Sequence, residues 1–77
     1  MPTITIIGLG LIGTSMGLAI KNSPVKDTII IGHETHRETA VRSQKRGAVD
    51  KVERHLPTAV EGAHLVILAT PVMAMQT

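Results

Sequence analysis

The sequence predicts an α/β fold, in which three to four mostly parallel strands form a sheet with flanking helices. Three observations predict it: short β-branched runs that end at turn residues, stretches between them with helical spacing of apolar residues, and the alternation of the two along 77 residues. Strands that are apolar throughout are typical of parallel sheets covered by helices. The right-handed crossover rule then places the first strand between the second and the fourth, with the third outside the second.

The first half of the chain gives two strands and one helix. Thr3–Ile7 is β-branched at every position and stops at a glycine cluster, which predicts a strand. A helix is predicted over Leu11–Lys21, and it ends before Pro24 because the residue preceding a proline is pushed out of the α region. Residues 28–31 are again β-branched throughout and predict the second strand. The apolar positions at helical spacing in the first helix are Ile12, Met16, Ala19 and Ile20.

The second half is less regular. Thr35 is expected to cap a helix that buries Ala40 and Val41 and stops at residues 45–47, where a glycine follows two basic residues. The remaining elements are a weak third strand at 49–52, one helical turn at 57–61, a fourth strand at 64–69 and the start of another helix at Thr70 and Pro71.

Composition excludes several classes of function. The chain has no aromatic residue and a formal net charge of +2, so it lacks stacking platforms and a basic footprint for nucleic acid. The first twenty residues are uncharged, but they are interrupted by glycines and have their first cation only at Lys21, which argues against a membrane span and a signal peptide. The absence of cysteine fits a reducing compartment, and a cytoplasmic location is expected.

The strongest functional signal is the run from Gly8 to Gly13, a G-x-G-x-x-G that directly follows a predicted strand and opens a predicted helix. Gly8 would permit the tight turn, Gly10 would let a pyrophosphate approach the backbone, and Gly13 would let the helix lie close to the strand. Backbone N–H groups at the helix N-terminus would hold the phosphate charge. The alternative is that the glycines only make a sharp turn. The context favours a Rossmann-like half of a dinucleotide-binding domain.

Glu34 supplies a second element of such a site. It lies 21 residues after Gly13, at the end of the second strand, where a carboxylate can accept a hydrogen bond from the adenosine ribose but would repel a 2′-phosphate. NAD is therefore favoured over NADP as the cofactor. His36 and Arg37 could accommodate a phosphate, which keeps NADP open, and a solvated carboxylate at a helix start is the structural alternative for Glu34.

Other reactive residues do not form a recognisable centre. The four histidines lack metal-ligand spacing and are interpreted as surface or loop residues, so no metal site is predicted. No nucleophile with a base, carboxylate pair or triad can be assembled, so no catalytic residue is assigned in this chain. The acid or base of a hydride transfer would then come from elsewhere. The histidines are His33, His36, His55 and His64.

These residues resemble the N-terminal part of the prephenate dehydrogenases, with their arogenate and cyclohexadienyl relatives. The resemblance covers nearly all of the chain and is carried by residues 4–19, 31–34, 46–50 and 65–72. It implies an NAD-dependent oxidative decarboxylation of prephenate to 4-hydroxyphenylpyruvate in tyrosine biosynthesis. The family's architecture is a Rossmann-like domain followed by a helical dimerisation domain, so a homodimer is expected.

The resemblance also implies roles for individual residues. Residues 1–77 would be the N-terminal part of the dinucleotide-binding domain, with the catalytic histidine, the substrate-binding arginines and the dimerisation domain further along a longer protein. The small-molecule substrate would bind only that longer protein. His64 departs from the family, which often has an acidic residue there. By position, Gly8, Gly10, Leu11, Ile12 and Gly13 would contact the pyrophosphate, Glu34 the adenosine ribose, and Ala69, Thr70 and Pro71 the cofactor beside the switch point of the sheet.

Two other hypotheses about the function of the chain stay open: it is a stand-alone nucleotide-binding or regulatory module, or it is a truncated half-Rossmann fragment without catalysis. The isolated chain lacks the strands that flank the fourth strand in a complete doubly wound domain, so residues 65–68 would form an apolar, unpaired edge through which the chain is expected to associate.

Overall fold

The computed structural model describes residues 2–23 and 27–69. The predicted α/β class is confirmed, and the predicted helix start at Thr70 and Pro71 lies outside the described residues. The elements along the chain are β1 (Thr3–Ile7), α1 (Leu11–Lys21), β2 (Ile29–His33), α2 (Arg37–Lys45), β3 (Lys51–Val52), α3 (Leu56–Val60) and β4 (Leu65–Leu68).

The described strands form one parallel sheet in the order β3-β2-β1-β4, as predicted. Ile4 of β1 is in register with Ile30 of β2 on one side and with Leu65 of β4 on the other. All strands run the same way, so their carboxyl ends meet at one edge of the sheet, where the loops that lead into α1 and α2 also lie. This edge is where open parallel sheets bind ligands.

A small aliphatic core joins the sheet to the loops that follow its strands. Ile6 and Ile30 come from the two central strands and are fully buried, and Leu9 is 1% exposed. Leu9 belongs to the glycine loop, residues 8–10, which follows β1. Ala48 and Val49, from the segment between α2 and β3, complete the buried cluster. The first loop after β1 is therefore part of the core, which fixes its position at the edge of the sheet.

Helix α1 packs most closely through small residues, and of the four apolar positions at helical spacing only Met16 and Ile20 pack against the core, as partly buried side chains. Its buried positions are Gly13, Thr14 and Gly17, whereas Ile12 is 63% exposed and Ala19 is exposed. A Cβ at Gly17 would lie 2.3 Å from the carbonyl oxygen of Ala48. The backbone of the helix thus approaches other backbone too closely to admit larger side chains.

The remaining boundaries differ from prediction by a few residues. Strand β2 continues through Gly32 to His33 because both pair with the end of β1, and Gly32 leaves room for the Leu9 side chain, whose Cδ1 would lie 2.5 Å from an added Cβ. The prediction that Val41 is buried is wrong, since α2 turns Ala40 inward and leaves Val41 43% exposed.

The termini of α2 bear out one prediction and correct another. The helix ends in a Schellman motif with Gly47 at φ +81°, as predicted from the glycine after the last turn. The N–H groups of Gly47 and Ala48 donate hydrogen bonds to the carbonyl oxygens of Gln44 and Ser43. At its start the N-cap is His36 rather than Thr35, and it makes no side-chain capping bond.

Strand β3 is reduced to Lys51–Val52, α3 starts one residue earlier than expected, and β4 covers Leu65–Leu68. Leu65 and Leu68, on the outermost strand, are 52% and 68% exposed. In the described part of the chain, no helix has the length and apolar character needed to cross a membrane.

Candidate functional site

A cleft of about 650 Å³ opens at the carboxyl ends of the central strands. It lies between the start of α1 and the start of α2, and β1 at its base has β2 on one side and β4 on the other. It brings together most of the residues that the sequence singled out. Its lining residues are Ile7, Gly8, Gly10, Leu11, Ile12, His33, Glu34, Thr35, His36, Thr39 and Ala69. Of the predicted site residues, Thr70 and Pro71 lie outside the described residues.

The glycine loop is held in the turn that the motif requires. Gly8 has φ +94°, a conformation that side chains rarely adopt, and its N–H donates a hydrogen bond of 2.8 Å to the carbonyl oxygen of His33. Gly13 lies behind the cleft, where a Cβ would come within 1.9 Å of the Gly8 carbonyl oxygen. Both glycines are therefore explained by the packing of the protein itself.

Gly10 is not explained in that way. Its φ of −69° is open to any residue, and a Cβ added there would meet nothing within 4 Å among the described residues. The space in front of it belongs to the cleft. A glycine at this position leaves the backbone accessible to whatever fills the cleft.

The N-terminus of α1 faces the same space. The first intrahelical hydrogen bond runs from Thr14 N–H to the Gly10 carbonyl oxygen, at 2.9 Å, so the N–H groups of Leu11 and Ile12 precede it. No side chain among the described residues caps this end, and the first turn of the helix carries no carboxylate. Backbone N–H groups and the helix dipole together make such an end receptive to an anionic group.

Glu34 stands directly after β2, half-buried at the mouth of the cleft. Its Oε1 accepts a hydrogen bond of 2.8 Å from Leu9 N–H, and its Oε2 accepts one of 2.9 Å from His36 N–H. The carboxylate therefore joins the glycine loop to the start of α2. Each oxygen has a second lone pair, so the carboxylate can still accept a hydrogen bond from a hydroxyl group of a ligand.

The histidines divide between two environments. The interpretation of His33 as a surface or loop residue is wrong: it ends β2, is 9% exposed, and its Nδ1 lies 2.9 Å from the Glu53 carbonyl oxygen. His64 is an exposed loop residue whose Nδ1 accepts a 3.0 Å hydrogen bond from Thr3 N–H. Among residues 2–23 and 27–69, no three potential ligands cluster as a metal site would need.

Buried hydroxyl groups support the site from behind, and the sequence analysis did not identify them. Thr14 Oγ1 donates to the Leu9 carbonyl oxygen at 2.9 Å and lies 3.1 Å from Ser43 Oγ, which links α1 to α2. Thr5 Oγ1 in β1 donates to the Ala59 carbonyl oxygen at 2.6 Å. The signal available in the sequence was the helical spacing that puts Thr14 on the same face as Gly17.

An ion pair fastens the opposite end of the sheet. Asp50 accepts a hydrogen bond from Lys21 through Oδ1 and one of 2.7 Å from Ile30 N–H through Oδ2. Burial acts to raise the pKa of this carboxyl, but the bonds from Lys21 and Ile30 and the charge of Lys21 outweigh it and hold the pKa below its ordinary value of 3.8. The pair connects the end of α1 to β2 and β3.

The parallel sheet, the glycine loop that opens α1 and the acidic residue after β2 together define a domain of the Rossmann-like class. Over residues 3–77 the chain matches the family described as NADP oxidoreductase coenzyme F420-dependent, and it belongs to that family.

The resemblance to prephenate dehydrogenases is confirmed by comparison with known proteins. The chain is 46% identical over 71 residues to the prephenate dehydrogenase of Bacillus subtilis (strain 168), a match that covers 91% of this chain and 19% of that protein. It is 41% identical over 73 residues to the prephenate dehydrogenase of Lactococcus lactis subsp. cremoris (strain MG1363), covering 94% and 20%. The chain thus spans about a fifth of the length of these relatives.

A solved structure shares the fold. The crystal structure of prephenate dehydrogenase from A. aeolicus in complex with hydroxyphenyl propionate and NAD+ superposes with a TM-score of 0.83 at 21% identity, covering 99% of this chain and 27% of that one. At this level of identity the match confirms the Rossmann-like architecture.

Proposed function

We propose that the chain is the NAD-binding, N-terminal part of a dehydrogenase that converts prephenate to 4-hydroxyphenylpyruvate by oxidative decarboxylation. The observation that carries the proposal is Gly10: the fold does not need a glycine there, but a group that must reach the backbone does. The two curated relatives, both prephenate dehydrogenases, support the reaction.

The chain's own residues would bind and orient the dinucleotide. The N–H groups of Leu11 and Ile12, at the open end of α1, suit the pyrophosphate, with Gly10 leaving room for its approach. Gly8 and Gly13 shape the loop, and Ala69 lines the cleft at the end of β4. The resemblance implies that Thr70 and Pro71 would also contact the cofactor. Bound there, NAD would supply the hydride acceptor, and the acid–base groups and the substrate site would come from other parts of the longer protein.

Glu34 supports NAD over NADP. Its carboxylate stands at the end of β2, where it can accept a ribose hydroxyl, and a 2′-phosphate at that place would meet a negative charge.

The longer protein would work as a homodimer in the cytoplasm, with no nucleic-acid or membrane partner. Within this chain, the low net charge and the lack of aromatic residues argue against a nucleic-acid partner, and the lack of cysteine fits the cytoplasm. In the isolated 77-residue chain, the exposed Leu65 and Leu68 of β4 would offer a separate apolar surface for association.

The test is to place a large side chain at Gly10. Gly10→Leu should abolish NAD binding while leaving the unfolding midpoint close to that of the unchanged protein, because the added atoms enter the cleft and touch nothing else described. Isothermal titration with NAD and thermal unfolding measure the two effects. Ala19→Leu, on the exposed face of the same helix, is the control and should change neither. Undiminished NAD binding by Gly10→Leu would contradict the proposal.

A further inference from the structure

In the ligand-free protein, Glu34 is hydrogen-bonded to two separate backbone segments. Its two carboxylate oxygens accept from Leu9 N–H, 25 residues earlier in the chain, and from His36 N–H at the start of α2. A residue whose role is limited to a ribose hydroxyl would not need its carboxylate committed to the protein in this way.

Leu9 is the residue at the centre of the glycine loop, and every part of it is held. Its side chain is 1% exposed and packs over Gly32. Its carbonyl oxygen accepts from Thr14 Oγ1. Its N–H is held by Glu34, and this bond is the charge-assisted one of the set.

The orientation of this loop decides where the open end of α1 points. Gly10, the N-cap of α1, comes directly after Leu9, so a rotation of the Leu9 peptide would carry the first N–H groups of the helix with it. Without the carboxylate, the part-buried N–H of Leu9 loses its acceptor, and the loop must rearrange to find another.

We propose that Glu34 is a positioning residue that fixes the glycine loop, residues 8–10, and thereby acts on the pyrophosphate as well as on the ribose. The inference rests on the proposed dinucleotide site. It differs from a pure ribose contact because the effect of Glu34 must persist when the ligand has no ribose hydroxyl.

The experiment pairs two ligands with two variants. ADP and dideoxy-ADP, whose ribose lacks both hydroxyls, are titrated into the unchanged protein, Glu34→Gln and Glu38→Gln. Glutamine has one acceptor oxygen for two backbone donors, so Glu34→Gln should weaken dideoxy-ADP by about tenfold. Glu38→Gln removes the same charge from an exposed position of α2 and should leave both ligands unaffected.

Amide hydrogen exchange in the ligand-free protein gives a readout that is independent of binding. Glu34→Gln should speed exchange at Leu9, whereas Glu38→Gln should not. If Glu34→Gln weakens ADP but leaves dideoxy-ADP and the Leu9 amide unchanged, Glu34 acts through the ribose and the inference is wrong. If the unchanged protein binds neither ligand, the proposed function is wrong, and the exchange at Leu9 still decides whether Glu34 holds the loop.

Discussion

Replacing Gly13 by alanine should destabilise the protein through one contact. The added Cβ would lie 1.9 Å from the carbonyl oxygen of Gly8, and real Cβ contacts essentially never fall below 3.0 Å, so helix and loop must separate by at least about 1.1 Å. The oxygen belongs to the peptide between Gly8 and Leu9, and this peptide resists rotation because its N–H, that of Leu9, already donates a hydrogen bond to Glu34.

The size of the effect follows from two opposing contributions. Overpacking of this kind costs about 1–3 kcal/mol, and a rigid backbone neighbour places Gly13→Ala at the upper end. Alanine recovers about 1 kcal/mol of helix propensity relative to glycine. The net loss is about 2 kcal/mol, which corresponds to a melting temperature lower by about 8–16 °C in a domain of this size.

Gly10→Ala is the matched control, since it makes the same chemical change three residues earlier. Its Cβ meets no described atom within 4 Å, so its unfolding free energy should stay within about 0.5 kcal/mol of the unchanged protein, the loss of an N-cap glycine being offset by a stiffer unfolded chain. Urea unfolding followed by circular dichroism measures both variants. If Gly13→Ala unfolds at the same urea concentration as Gly10→Ala, the loop yields easily, and close backbone packing is not the reason for the glycine.

Three further outcomes follow from other parts of the structure. The pKa of Asp50 is lowered in the folded state, so its contribution to stability is complete above the ordinary pKa of 3.8 and is lost as the pH falls through the lower folded value. The difference in unfolding free energy between the unchanged protein and Asp50→Asn should therefore be larger at pH 7 than at pH 3 in urea unfolding, and an equal difference would contradict this. Glu34→Ala should weaken NAD more than NADP by isothermal titration, because it removes both the ribose acceptor and the repulsion of a 2′-phosphate; tighter binding of NADP than NAD by the unchanged protein would exclude that role. The 77-residue chain should associate through β4, where burial of a few hundred Å² of apolar surface contributes several kcal/mol at about 25 cal/mol per Å². Its melting temperature should therefore rise with protein concentration. A folded monomer in sedimentation at high micromolar concentration, with a constant melting temperature, would show that Leu65 and Leu68 are not an association surface.

The sequence predicted the sheet well because its signals are local. The β-branched run Thr3–Ile7 gave β1 with its observed ends, and the crossover rule placed β1 between β2 and β4. The glycine spacing likewise located the loop at the cleft. Each of these features depends on neighbouring residues and on a general rule of chain connection, both of which can be read without knowing which distant segments meet.

The features that were missed depend on contacts between distant segments. In the sequence, His33 follows a glycine and looks like a turn residue. In the structure it pairs with Ile7 and extends β2, and its Nδ1 lies within hydrogen-bond distance of the Glu53 carbonyl oxygen. Ala40 and Val41 are both apolar, so the sequence alone does not decide which of them α2 buries; in the structure Ala40 is buried and Val41 is exposed. In the same way, nothing in the sequence indicates that Glu34 reaches back to Leu9.

The glycines of α1 and its loop show why the dinucleotide interpretation is stronger than a simple turn. A sharp turn from β1 into α1 requires Gly8, with its φ of +94°, and nothing more. Gly13 and Gly17 are required because the helix packs directly against the carbonyl oxygens of Gly8 and Ala48. These close backbone contacts keep the N-terminus of α1 at the cleft. Gly10 remains, with an ordinary φ and with no atom of the described residues within 4 Å of an added Cβ. A fold that needed only a turn and a close-packed helix would accept a side chain there, so the fourth glycine is explained by a bound group that must come close to the main chain.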